Sequence, residues 1–280
     1  MKIKYLYIIA MLFAFSACDK INEPFVENNS NTAVDTTKVY KKILVEDFTG
    51  HHCINCPAAH RVLQGLHDQY GERIIGVAIH YGSFASATNW ASSGYTYNFK
   101  TPEGTEIGSN FLVSSTPTGM INRRMYNSSI LINKDDWGSL VNELLPEEAK
   151  AKIEITNTYI AADSSLSCAI KSAFLADVSE GLSLVAYLVE DSIVKPQLDG
   201  EASPEDVLSY THRHVLRGTL NSTWGEAISP TTAGSSTTKT YTFSFKNKDF
   251  VPSKCAVVAY LMNTASKADI IQVEMAKVVN

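Results

Sequence analysis

The sequence predicts two folded parts in series, an α/β unit over residues 40–148 and an all-β sandwich over residues 149–280. Three observations carry that prediction. Two near-continuous apolar runs, "KKILVEDF" and "RIIGVAIH", flank a stretch in which Ala58, Ala59, Val62, Leu63, Leu66 and Tyr70 recur at helical spacing. After "PEEAKAK" the pattern changes to short alternating runs with no strong helix between most of them. Ahead of both parts stand an apolar leader and a polar stretch without period.

The leader reads as an address. Lys2 and Lys4 make a positive start, Tyr5 to Phe15 is apolar, and "FSAC" follows with small residues before Cys18. A membrane-spanning helix needs about 20 apolar residues, and this run is shorter. "FSAC" resembles a bacterial lipobox, with Phe15 in the usual place of Leu, so residues 1–17 are expected to be removed and Cys18 lipidated. Without them 22 basic residues face 29 acidic ones, a formal charge of −7. No basic cluster remains to track a phosphate backbone, which argues against nucleic acid. Residues 18–39 are polar and rich in Asn and Thr, and read as a flexible tether with a reach of roughly 25 Å.

In the first folded part, "KKILVEDF" reads as a strand buried on both faces. The helix after it stops at Gly71, and "RIIGVAIH" is the next buried strand. Two apolar strands joined by a helix argue for a parallel pair with a right-handed crossover. Residues 82–115 read as a loop plus a helix. "STPTGMINRRM" and "SSILIN" then read as two strands, and "KDDWGSLVNELL" as a closing helix before Pro146.

The second part reads as seven strands: "KIEITNTYI", "LSCAIKSAFL", "LSLVAYLVE", "HRHVLRGTL", "TKTYTFSF", "CAVVAYLM" and "IIQVEMAKV". Seven short strands of this kind suggest a sandwich of immunoglobulin-like type. In that topology Cys168 and Cys255 start strands of opposing sheets at one end, so a Cys168–Cys255 disulfide is expected if their Cα atoms lie within about 7 Å. Two free, buried cysteines are the alternative.

The chemistry concentrates in "GHHCINCPAAH". A Cys-x-x-Cys pair between a strand and a helix start is the arrangement that favours thiolate over thiol. Cys53 would be the exposed nucleophile and Cys56, one turn inward, the resolving thiol. His51, His52 and Arg61 are the neighbours able to add positive potential. Pro57 has no amide hydrogen to give the Cys53 carbonyl, so the first turn is either kinked or begins at Pro57. A zinc site would need four ligands, for which Cys53, Cys56, His60 and His67 can be proposed. Copper is a further alternative, with His80 at the end of the second parallel strand. His212 and His214 read as a surface pair, Trp224 as a core or edge aromatic, and no metal site is assigned. No GxSxG, P-loop or dinucleotide fingerprint occurs.

Residues from about 41 to 147 resemble a thioredoxin-like domain, on "ILVEDFTGHHCINC" and "TPTGMI". The resemblance implies a buried acid at Asp47 that assists proton transfer, and a cis Thr116–Pro117 bond beside the pair. Thr116, Pro117 and His52, the last in the place of the usual Trp, would border the substrate-binding face. Ile54–Asn55 replaces the family's Gly–Pro, and Pro57 stands where a basic residue is common. Together with the lipobox, the tether and the β-rich second half, the chain resembles a family of outer-membrane lipoproteins that join a thioredoxin-like domain to an immunoglobulin-like one. The expectation is therefore a thioredoxin-like α/β domain followed by an all-β immunoglobulin-like sandwich, held in the cell envelope by its lipid. Its expected activity is thiol–disulfide exchange with envelope proteins, needing a redox partner and no diffusible cofactor. A non-enzymatic binder on the same scaffold and a copper-delivery protein are the rival readings.

Overall fold

The computed structural model describes residues 38–279. The leader at 1–17, the lipidation site at Cys18 and all but the end of the tether lie outside them.

The first half begins with strand β1 (Ile43–Thr49), all seven residues of which are buried. Helix α1 (Cys56–Tyr70) follows, with Pro57 in its first turn, where a missing amide hydrogen leaves no helical bond unmade. Its stop is Gly71 at φ 57°. Strand β2 (Ile74–His80) then runs parallel to β1 in the register Ile43↔Ile74 to Thr49↔His80. A short helix α2 (Ala87–Trp90) and helix α3 (Pro102–Asn110) lead to strand β3 (Thr118–Ile121), which pairs antiparallel with β1. "SSILIN" forms no strand; Ile132 makes only an isolated bridge to Gly119. Helix α4 (Trp137–Leu144) closes this half.

The second half contributes β4 (Ala151–Ile160), β5 (Ser165–Phe174), β6 (Leu182–Glu190), β7 (Ile193–Leu198), β8 (Asp206–His212), β9 (Val215–Thr219), β10 (Glu226–Ile228), β11 (Ser236–Ser244), β12 (Cys255–Asn263) and β13 (Gln272–Lys277). They do not form a sandwich of their own. One mixed sheet runs β13-β12-β6-β9-β2-β1-β3, with β10 also on β6, and so carries strands of both halves. The seam is a parallel contact of β2 with β9 at Ala78↔Val215, beside the Ala78 N–H bond to the His214 carbonyl at 2.8 Å. A three-stranded sheet β11-β5-β4 and the two-stranded hairpin β7-β8 complete the topology.

This arrangement overturns the expected fold class. The described residues are mostly β, 40% strand against 21% helix, with a large shared sheet in place of a thioredoxin-like α/β domain followed by an immunoglobulin-like sandwich. The physical reason lies in β6 and β12. Leu184, Ala186 and Leu188 of β6 pack with Val257, Ala259 and Leu261 of β12 against the three-stranded sheet. Val185, Tyr187 and Val189, with Val258, Tyr260 and Met262, face the other way and pack in one core with Leu44, Phe48, Ile75, Val77 and Ile79 of the first half. A strand apolar on both faces needs cover on both, and β1 and β2 share in the second cover. The far face of β1 and β2 packs on α1 and α4 through Ile43, Val45, Leu63, Leu66, Trp137 and Val141.

The expected Cys168–Cys255 bridge is not formed. Both are free, buried thiols in the core between the sheets. Cys168 sits within β5, opposite Tyr241 and Asn157, and not at a strand start, so the strand-end geometry that predicted the bridge does not arise.

Candidate functional site

The loop that leaves β1 turns tightly. The Cys53 N–H bonds to the Gly50 carbonyl at 3.0 Å and the Cys56 N–H to the Cys53 carbonyl at 3.2 Å. This brings the two Cα atoms to 5.4 Å, and Cys53 and Cys56 form a disulfide. The register Phe48↔Thr118 sets the cis Thr116–Pro117 bond at the β3 end that faces this loop. The sequence predicts both the pair and the cis bond at these positions.

Cys53 is not the exposed sulfur that the sequence suggests: the residue is 3% accessible and Cys56 is fully buried. Two covers account for it. On one side the His52 N–H bonds to the Phe84 carbonyl at 3.0 Å, and its ring stacks on Trp90 at 3.7 Å. Gly50 lies so close that a Cβ there would stand 2.6 Å from the Phe84 carbonyl carbon. On the other side lies the end of β7. Gln197 Nε2 donates to the carbonyls of Gly50 and Cys53, each at 3.2 Å. The Leu198 N–H bonds to the His51 carbonyl at 2.9 Å, and the Gly200 N–H to that of Ile54 at 3.0 Å. Arg61 pairs with Asp199 at 2.9 Å and Glu201 at 2.8 Å, so its charge is already matched.

Nor does His51 supply positive potential. It is buried between Tyr95 and Phe99, and burial, with His52 beside it, lowers its pKa to about 4. The imidazole is therefore neutral near pH 7.

Asp47 is fully buried on β1, and neither carboxylate oxygen has a hydrogen-bond partner among the described residues. Burial pushes its pKa up to about 8, so it is mostly protonated at neutral pH. Its near neighbour is His60 on α1, with Nε2 at 3.5 Å. His60 also shares hydrogen bonds with Thr49 Oγ1 at 2.9 Å and Tyr210 Oη at 2.7 Å. Burial lowers the His60 pKa to about 4.

Asp47 opens onto a cavity of about 160 Å³ between α1 and the β8–β9 turn, lined by His60, His67, His80, His212 and His214. His212 and His214 are thus not a surface pair. His80 stacks on Phe99 at 4.3 Å, and the rings of His80 and His212 lie 5.7 Å apart. The His80 imidazole has no hydrogen-bond partner among the described residues. Buried polar groups around a space of this size suit ordered water. The same burial lowers both pKa values, that of His212 to about 3. Among the described residues no three His, Cys, Asp or Glu side chains have the geometry to hold a metal ion, so His60 and His67 do not complete a zinc set with the cysteines. Trp224 is an edge aromatic whose indole N–H bonds to Glu106.

Sequence reasoning missed Gln197, Leu198, Gly200 and Tyr210, because it missed the β7–β8 hairpin. Pro196 interrupts "IVKPQL", and "DVLSYTH" is exposed along most of its length. A proline in a run demotes a strand, and weak burial hides the other.

Among solved structures the chain is similar to HBP35 of Porphyromonas gingivalis. The TM-score is 0.64 at 19% identity, over 86% of this chain and 76% of that one. It is also similar to protein AGR_C_4864 of Agrobacterium tumefaciens, with a TM-score of 0.52 at 17% identity, over 86% of this chain and 96% of that one. At such identities the likeness is one of fold. No curated protein matches the sequence. Residues 105–280 match the family described as outer membrane protein Omp28, a match that begins after the Cys53–Cys56 loop. That match spans more than half of the sequence: the chain belongs to the Omp28 outer-membrane protein family, and its place is the outer membrane of the cell envelope.

Proposed function

We propose that this protein exchanges thiols and disulfides with other proteins of the envelope, with Cys53 and Cys56 as the redox pair. The observation that supports this best is a disulfide set between strand end and helix start, six residues beyond a buried, protonated carboxyl at Asp47. In the oxidised form a partner thiolate attacks Cys53 Sγ. The Cys53–Cys56 bond breaks as the mixed disulfide forms, and Cys56 leaves as a thiolate that takes a proton, with Asp47 as the donor in this reading. A second partner thiolate attacks the partner's own sulfur and releases Cys53. The partner gives up two electrons and two protons, which the chain holds as two thiols. In reverse, the Cys53 thiolate attacks a partner disulfide and Cys56 resolves the intermediate. Thr116, cis-Pro117 and His52 border the docking face, and a lipid on Cys18 holds the protein within reach of its partners. The exchange needs a redox partner and no diffusible cofactor.

The test is covalent trapping. Cys56→Ser leaves Cys53 joined to envelope partners, seen as high-mass bands that dithiothreitol removes, whereas Cys53→Ser gives few or none. Clean monomers from both variants in an oxidising envelope would end this reading. The burial of Cys53 favours a second one, in which the protein binds a partner without chemistry and the disulfide is a staple. Insulin reduction by the dithiol form separates the two.

A further inference from the structure

We infer that Gln197 is a positioning residue that latches the β7–β8 hairpin over the disulfide and sets how readily a thiol reaches Cys53. The inference rests on the exchange reading above for its purpose, but not for its geometry. Pro57 cannot give the Cys53 carbonyl a helical hydrogen bond. The carbonyl takes the Cys56 N–H at 3.2 Å, and a side chain 144 residues away supplies its second donor, also at 3.2 Å. The Gln197 amide nitrogen meets three carbonyl oxygens, those of Gly50, Cys53 and Leu198, the last at 2.9 Å. Three acceptors around one atom fix the amide orientation, because the oxygen end would be repelled there. Gln197 is fully buried, and a bulge between Lys195 and Gln197 aims it at the loop. With Leu198 and Gly200 it occupies the carbonyls of four redox-loop residues: Gly50, His51, Cys53 and Ile54.

A thiolate has to reach Cys53 Sγ, and the hairpin stands over the loop that carries it. Reduction therefore requires this segment to lift, a local opening whose cost those bonds set. The remaining contacts of the hairpin, including Arg61 to Asp199, hold it near the loop when Gln197 lets go.

The experiment uses dithiothreitol as the probe. Its thiolate attacks Cys53 Sγ and breaks the Cys53–Cys56 bond, and its second thiol closes the reagent into a cyclic disulfide, leaving two protein thiols. Reduction is followed by alkylating the freed cysteines of the folded full chain and mapping the peptides. Gln197→Ala and the volume-keeping Gln197→Met are expected to speed reduction by about tenfold, the rate equivalent of one lost hydrogen bond. Cys168 and Cys255 are expected to stay unlabelled, since a latch opens one loop and leaves the core shut. Unchanged rates overturn the inference, and so does labelling of Cys168 and Cys255 that rises in step with reduction. Should Gln197→Ala not fold, Gln197→Met carries the same test. If reduction quickens while no form of the protein exchanges with protein disulfides, the exchange reading falls and the latch stands.

Discussion

Arg123 meets Glu46 in a two-bond ion pair with both side chains fully buried, Nε to Oε2 at 2.8 Å and Nη2 to Oε1 at 2.7 Å. The same guanidinium donates to the hydroxyls of Tyr187 on β6 and Tyr260 on β12, at 3.1 and 3.0 Å, and to the Lys267 carbonyl at 2.8 Å. One side chain thus ties β1 to two strands of the second half. Glu46, the neighbour of Asp47, is committed to this pair and is not available to the disulfide.

Removing one partner strands a charge in the core. Arg123→Met or Glu46→Gln is expected to cost about 3–5 kcal/mol, read from urea unfolding. Fluorescence and circular dichroism are expected to report one shared transition, because the core that the pair crosses belongs to both halves. The combined Arg123→Met and Glu46→Leu change is expected to recover much of the loss, as an apolar replacement of a buried pair does.

Asp47 gives stability a pH dependence whose sign is set by its raised pKa. The folded value of about 8 lies above the ordinary 3.8, so the fold binds a proton that the unfolded chain releases. Its contribution is full below about pH 4, is lost as pH rises, and is gone above about pH 8. Asp47→Asn removes that slope. Urea midpoints at about pH 5 and about pH 9 are expected to show the variant gaining on the parent at the higher pH. A parent that gains instead would place the carboxylate in a solvated or paired state. In disulfide exchange the same variant is expected to be slower near neutral pH.

Cys168 and Cys255 lie in one core, and burial pushes each thiol up to about 12. Neither is expected to react with an alkylating reagent in the native protein while Cys53–Cys56 remains oxidised. In denaturant both are expected to label, and peptide mapping by mass spectrometry reads each. A mapped Cys168–Cys255 crosslink would contradict the structure.

Strand β1, helix α1 and parallel strand β2 were legible because each carries an unbroken local signal. The strands are apolar on both faces, and Ala59, Leu63 and Leu66 keep helical spacing up to Gly71. The shared sheet was written in the sequence too, in the double-sided apolar runs "LSLVAYLVE" and "CAVVAYLM". An independent sandwich would turn polar at Val185, Tyr187 and Val189, and this chain does not. The cover of the disulfide was not legible. Gln197 is a lone polar residue beside a proline, and nothing in its neighbourhood says that it closes on a loop 144 positions earlier. The histidine cavity escaped for the same reason, since His60, His80 and His212 meet only after β8 is laid beside α1.

The seam between β2 and β9 bears on the order of events when the chain is made. The strand that pairs with Ala78 is the one that carries Val215, and β6 beyond it is flanked in turn by β12 from near the end of the sequence. A chain delivered from its N-terminus therefore completes β1 and β2 early, yet β2 keeps a bare edge until the last third arrives. Sheets assembled from such distant segments close slowly, and bare edges recruit other chains while they wait. Newly exported copies thus pass through a period in which they need shielding from one another. During it the Cys53–Cys56 loop lacks its hairpin cover, because Gln197 follows so far behind.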